Sequence, residues 1–178
     1  LCLALALLWV PATAHGDARA HASIIRGENA SISNFPSLAF IEARTSAKRG
    51  FACTGTVIAP RVVLTAAHCV FDIEAGHVTP ASDYVVITGV ADLREVTHGN
   101  VFHVSQALVN PDFDPSTLHG DAGLLILSAP TSAPALPIAG ADEGALYESR
   151  TPVRLAGWGL TDPDHSNPPP ILQTTSAE

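Results

Sequence analysis

The chain has 178 residues, enough for one domain with a real core, and carries 14 prolines, 13 glycines and a single lysine, Lys48. Its formal net charge is -8 and no basic run exceeds two residues, which excludes the clustered Lys and Arg that a nucleic acid backbone requires. Apolar residues rich in Val, Ile, Leu and Ala, with dense turn punctuation, favour an all-β domain over a helical bundle.

Residues 1–10, LCLALALLWV, are almost wholly apolar but too few to cross a bilayer as a helix, which needs about 20 residues. Pro11 follows, then the small-x-small triplets Ala12-Thr13-Ala14 and Ala20-His21-Ala22. Residues 1–22 therefore read as a secretory signal peptide without its charged start, with Ala22–Ser23 or Ala14–His15 as the bonds to be cut. The sequence contains no methionine and is expected to continue beyond both ends. No other segment is long and apolar enough for a membrane helix, so the mature chain is expected to be secreted, without a membrane span. Export also sets the redox reading. Cys2 leaves with the leader, and Cys53 and Cys69 remain as an even pair in an oxidising compartment. A disulfide is the expectation; two thiols or half a zinc site is the alternative, for which no further ligands lie close in sequence.

Short strand patterns follow in order. Ser37–Ala43 and Phe51–Ile58 read as a hairpin pair around a polar stretch containing Arg44, Lys48 and Arg49. Val62–Ala66, Tyr84–Thr88, Val101–Val109 and Ala122–Leu127 are further strands, with a turn at Val109-Asn110-Pro111-Asp112. Residues 128–140 hold three prolines and no charge, as suits an extended linker over a surface. A second block of strands opens at Thr151–Trp158 and, after a proline-rich loop from Asp162 to Pro170, at Ile171-Leu172-Gln173.

Four motifs carry chemistry. Cys53-Thr-Gly-Thr-Val-Ile-Ala-Pro-Arg-Val-Val-Leu-Thr-Ala-Ala-His68-Cys69 sets a histidine directly after an apolar strand and beside a cysteine. A histidine acting as general base must be held in one place and one tautomer. His119-Gly-Asp121-Ala-Gly-Leu-Leu-Ile-Leu puts an aspartate just before another apolar strand. Ile24-Ile25-Arg26-Gly27 follows the leader, and Leu155-Ala-Gly-Trp-Gly159 opens the second block. Together, from Ile24 to Gln173, these strings resemble the chymotrypsin/trypsin-like serine proteases.

The resemblance implies two antiparallel Greek-key β-barrels, the first over about 24–129, a linker over about 130–140, and a second that is incomplete within 141–178. It implies that His68 is the general base and Asp121 its orienting carboxylate, and that Ile24 is the N-terminus freed on activation. Three departures stand out. Arg26 replaces the usual glycine, Ser23 precedes Ile24 where an activation site has Arg or Lys, and Asp-Ala-Gly-Leu-Leu replaces Asp-Ile-Ala-Leu-Leu. The nucleophilic serine of the family lies in Gly-Asp-Ser-Gly-Gly, a string absent from these 178 residues and expected downstream. The chain alone is therefore expected to be inactive, as a piece of an endopeptidase that takes protein or peptide substrates as a monomer. The alternative is a protease-like binding module without catalysis. His77, His98, His103, His119 and His165 form no metal-ligand spacing, and no metal or cofactor is expected. Strand alternation would point His119 the same way as Asp121.

Overall fold

A computed structural model describes residues 24–43, 51–161 and 168–177. Residues 1–22, read from the sequence as a signal peptide, the Arg44, Lys48 and Arg49 stretch, and His165 lie outside the described residues.

Eleven strands are described: β1 (Glu28–Asn29), β2 (Leu38–Ala43), β3 (Phe51–Ala59), β4 (Val62–Thr65), β5 (Phe71–Asp72), β6 (His77–Val78), β7 (Tyr84–Thr88), β8 (Val101–Val109), β9 (Gly123–Leu127), β10 (Val153–Gly157) and β11 (Gln173–Ala177). Six of them close a barrel in the order β2-β3-β4-β9-β8-β7, every pairing antiparallel. Two meanders, β2-β3-β4 and β7-β8-β9, are sewn together along β4–β9 and β2–β7. Period-2 alternation drives the closure. Ala39, Ile41 and Ala43 of β2, Val63 and Thr65 of β4, and Leu125 and Leu127 of β9 point inward, with Val57, Val70 and Val86 completing a core out of reach of water. A closed barrel leaves none of these strands with an open edge.

The strand patterns of the sequence reappear with ends moved by a residue or two. β7 and β8 coincide with Tyr84–Thr88 and Val101–Val109. Residues 128–140 form no helix or strand and run along the barrel, tied by Thr131 N–H to Pro60 O (2.9 Å) and Leu136 N–H to Val57 O (2.9 Å). The two-residue hairpin β5–β6 has no sequence signature, being too short for periodicity.

β1, β11 and β10 form a separate three-stranded sheet. Residues 24–30, which the sequence reading groups with the first barrel, therefore pair across to the other one: Glu28 faces Thr174 and Asn29 faces Gln173. The pairing spans most of the chain, and nothing local encodes it. Trp158 locks this sheet to the barrel. Its Nε1 donates to Ala91 O (3.0 Å), and its ring meets Phe40 edge-on with centroids 5.7 Å apart. The glycine before it permits the approach, because a Cβ on Gly157 would lie 2.6 Å from Thr54 Oγ1.

Candidate active site

β4 ends at Thr65, and the chain turns at once into a 3-10 turn, Ala67–Cys69. Ala67, Cys69 and Val70 are buried, so the turn rests on the core and displays His68, whose side chain is 40% exposed. Asp121 comes from the far side of the barrel. β4 and β9 pair with Thr65 opposite Gly123, and continuing that register by two residues sets Asp121 across from the turn. Asp121 then grips His68 twice. Its Oδ1 accepts the backbone N–H of His68 at 2.8 Å, and its Oδ2 lies 2.7 Å from the ring Nδ1.

Partial burial pushes the Asp121 carboxyl up, but the hydrogen bonds from the backbone and ring of His68, with help from the Ala67 backbone, outweigh it. The net result lies below the usual carboxylate range, so Asp121 is ionised at neutral pH. An ionised carboxylate only accepts, so Nδ1 carries the ring proton and the lone pair is left on Nε2.

Two further tethers hold the turn. Cys53 on β3 and Cys69 form a disulfide with Cα atoms 6.2 Å apart. The buried Tyr84 donates its hydroxyl to Cys69 O at 3.1 Å, and burial pushes its phenol up to about 12. Sequence reasoning places Tyr84 on a strand but does not identify this partner, which lies 15 residues away across the barrel. The donor atoms of Cys53, His68 and Cys69 lie within 4.8 Å of one another. With the sulfurs bonded to each other, neither is a thiolate, and the trio is not a ligand set.

His119 does not join the pair. Gly120 intervenes with φ 66, the strand begins only at Gly123, and His119 sits exposed in a tight loop where its carbonyl accepts the Asp114 N–H (2.9 Å). The alternation argument fails here because residues 119–121 are not extended strand. His98, His103 and His77 are exposed, His98 in a 3-10 turn, His103 on β8 and His77 on β6.

The departure at Asp-Ala-Gly has a packing explanation. A Cβ on Gly123 would lie 2.6 Å from Val70 Cγ2 and 3.1 Å from Ala66 O, so Val70 fills the space an alanine methyl would need. Gly123→Ala is expected to cost about 1–3 kcal/mol by overpacking. In the Val70→Ala background the same change should cost at least about 1 kcal/mol less. Urea melts of the four-member cycle check this; additive losses would disprove the steric account.

Ile24, read from the sequence as an activation terminus, stands beside the second sheet. Its N–H donates to Leu160 O (2.6 Å), and the chain then turns through a Gly27 N–H to Ile24 O bond (2.8 Å). Arg26 occupies the third position of that turn with φ 59, a left-handed conformation that explains why glycine suits the position. Ile24, Cys53, His68, Leu155 and Gly157 help to line a cavity of about 350 Å³ between the barrel and the second sheet.

Residues 24–177 match the model of the family described as Trypsin. The chain is similar to a trypsin of Saccharopolyspora erythraea, with 28% identity over 138 residues, covering 78% of this chain and 56% of that protein. It is also similar to the inactive serine protease PAMR1 of Xenopus tropicalis, with 35% identity over 78 residues, covering 42% of this chain and 11% of that protein. Among solved structures it resembles the Vibrio cholerae VesB protease, with TM-score 0.70 and 31% identity, covering 86% of this chain and 44% of that one. The chain thus spans about half the length of the trypsin it matches and less of the other two.

Proposed function

Because this chain belongs to the trypsin family of serine proteases, we propose that it is the histidine- and aspartate-bearing part of a secreted serine endopeptidase. The enzyme hydrolyses peptide bonds of protein or peptide substrates through an acyl-enzyme. His68 takes the proton of the attacking serine hydroxyl on Nε2 and returns it to the leaving amine. Asp121 holds the imidazole in the Nδ1–H tautomer and stabilises the imidazolium formed on the way. Ile24, once freed, supplies the mature N-terminus. The nucleophilic serine is not among these 178 residues, so the chain by itself does not turn over peptides.

The observation that carries this reading is the double grip of Asp121 on His68, at 2.8 Å on the backbone and 2.7 Å on the ring. A surface aspartate that merely starts a strand has no need to hold both groups. The disulfide beside His68 fits an oxidising, extracellular setting.

A fluorophosphonate probe tests the proposal, since it esterifies a serine activated by a neighbouring base and spares an unactivated one. The protein as secreted by its own source is expected to be labelled on a serine. Absence of labelling would favour the binding-module alternative, a reading motivated by the similarity to an inactive serine protease.

A further inference from the structure

We propose that the Arg150–Thr151 bond is a processing site for an endopeptidase with an arginine-binding pocket, and that the two pieces stay docked after the cut. Hydrolysis there breaks the Arg150 C–Thr151 N bond, and water supplies a carboxylate to Arg150 and an ammonium group to Thr151. The inference does not depend on the catalytic reading of His68 and Asp121.

Two arginines occupy the same strained geometry. Arg26 and Arg150 each stand third in a β-turn, closed by Gly27 N–H to Ile24 O (2.8 Å) and by Thr151 N–H to Glu148 O (3.1 Å). Both adopt left-handed backbone, φ 59 and φ 69. Such a residue is relieved when the chain straightens, and a protease binds its substrate extended.

The turns differ in what opening them breaks. Arg26 is tied to the body of the protein, its own N–H bonding Thr161 O (3.1 Å) beside the Ile24 bond to Leu160. Around Arg150, every hydrogen bond described for residues 139–151 ends within the same stretch. They include Gly140 N–H to Glu143, Tyr147 OH to Ala139 O and the Thr151 hydroxyl to Ala145 O. Within these 178 residues all of 141–150 are exposed, Tyr147 at 68% and Leu146 at 54%. This stretch can open without breaking any hydrogen bond described to the rest of the fold, which places it at the low end of local stability. Pro152 adds a bias of Thr151 toward extended backbone, the form required on the primed side of the cut.

The pieces are held by contacts that the cut leaves alone. β11 pairs with β1, Leu172 N–H donates to Ala91 O (2.8 Å), Gln173 donates to Asn29 (2.8 Å), and Trp158 remains against Phe40 and Ala91.

Brief digestion of the protein with an arginine-specific endopeptidase, read by N-terminal sequencing and intact mass, tests this. A new terminus Thr151-Pro152-Val153 should form at least about tenfold faster than Gly27-Glu28-Asn29. Its rate should be nearly flat between 0 and about 1 M urea, because local opening exposes little surface. Arg150→Gln should abolish that terminus, and Arg150→Lys should restore it with an endopeptidase that accepts lysine. The nicked material should elute as one species in native buffer and as two in denaturant. A Gly27 terminus forming as fast as Thr151 would overturn the proposal. So would a Thr151 rate that climbs with urea like global unfolding, or separation of the pieces in native buffer.

Discussion

His68→Ala is expected to lower peptide turnover by the serine-bearing enzyme about a millionfold, the scale of removing the base from a Ser-His-Asp constellation. Asp121→Asn is expected to cost about ten-thousandfold, because the amide can donate to Nδ1 and so favours the wrong tautomer while keeping its shape. Neither change removes an apolar contact, so stability should shift by no more than about 1–3 kcal/mol. Asp121 also has a signature in pH. Its folded value lies below its unfolded one, so its contribution to stability is fully present above the ordinary carboxylate range and is lost as pH falls through the folded value. In Asp121→Asn that acid-side loss should shrink. His119→Ala is the control, since His119 is exposed and holds Asp114 only through its backbone. Turnover of a broad peptide library, with melts across pH, reads all three variants. If His119→Ala is as inactive as His68→Ala while Asp121→Asn remains active, the assignment of the pair is wrong.

Removing the disulfide is expected to have the largest effect on stability. Cys53 and Cys69 are 16 residues apart, and cross-linking a loop of that size restricts the unfolded chain by about 3 kcal/mol. The double variant Cys53→Ala/Cys69→Ala should therefore lose about 3 kcal/mol in urea. The His68 turn should nevertheless persist in the folded state, because Tyr84 still holds the carbonyl of residue 69 and Asp121 still holds the His68 N–H. A folded variant whose midpoint falls by less than about 1 kcal/mol would show that the bridge contributes little constraint. Loss of the 121–68 hydrogen bond in NMR spectra of the folded variant would show that the disulfide alone positions the turn.

Much of the site is legible in the sequence because its carriers are short and contiguous. The string around Cys53 and His68 places base, cysteine and strand within 17 residues, and Asp121 directly precedes an apolar run. Strand alternation in Leu38–Ala43, Val62–Thr65 and Gly123–Leu127 identifies the inward residues directly. Chain order alone could not show which strand lies beside which. The 53-residue separation of His68 and Asp121 collapses to 2.7 Å only through the β4–β9 register. The strain at Arg26 and Arg150 is likewise invisible to composition, since an arginine in a turn has no mark for the sign of φ.

By itself, then, the amino-acid sequence determined an all-β chain of the trypsin family, its strand segments, and the residue types offered for catalysis. The all-β class and the strand segments follow from side-chain period, and the family from the resemblance that the contiguous motifs carry. Only the tertiary structure decided the rest. It paired Glu28–Asn29 with β11 and not with the first barrel, put His119 outside the pair, and seated Tyr84 under Cys69. It also made Gly123 a packing requirement of Val70. These depend on which strands meet and in what register, and that is settled by burying all the apolar faces at once in one closed barrel.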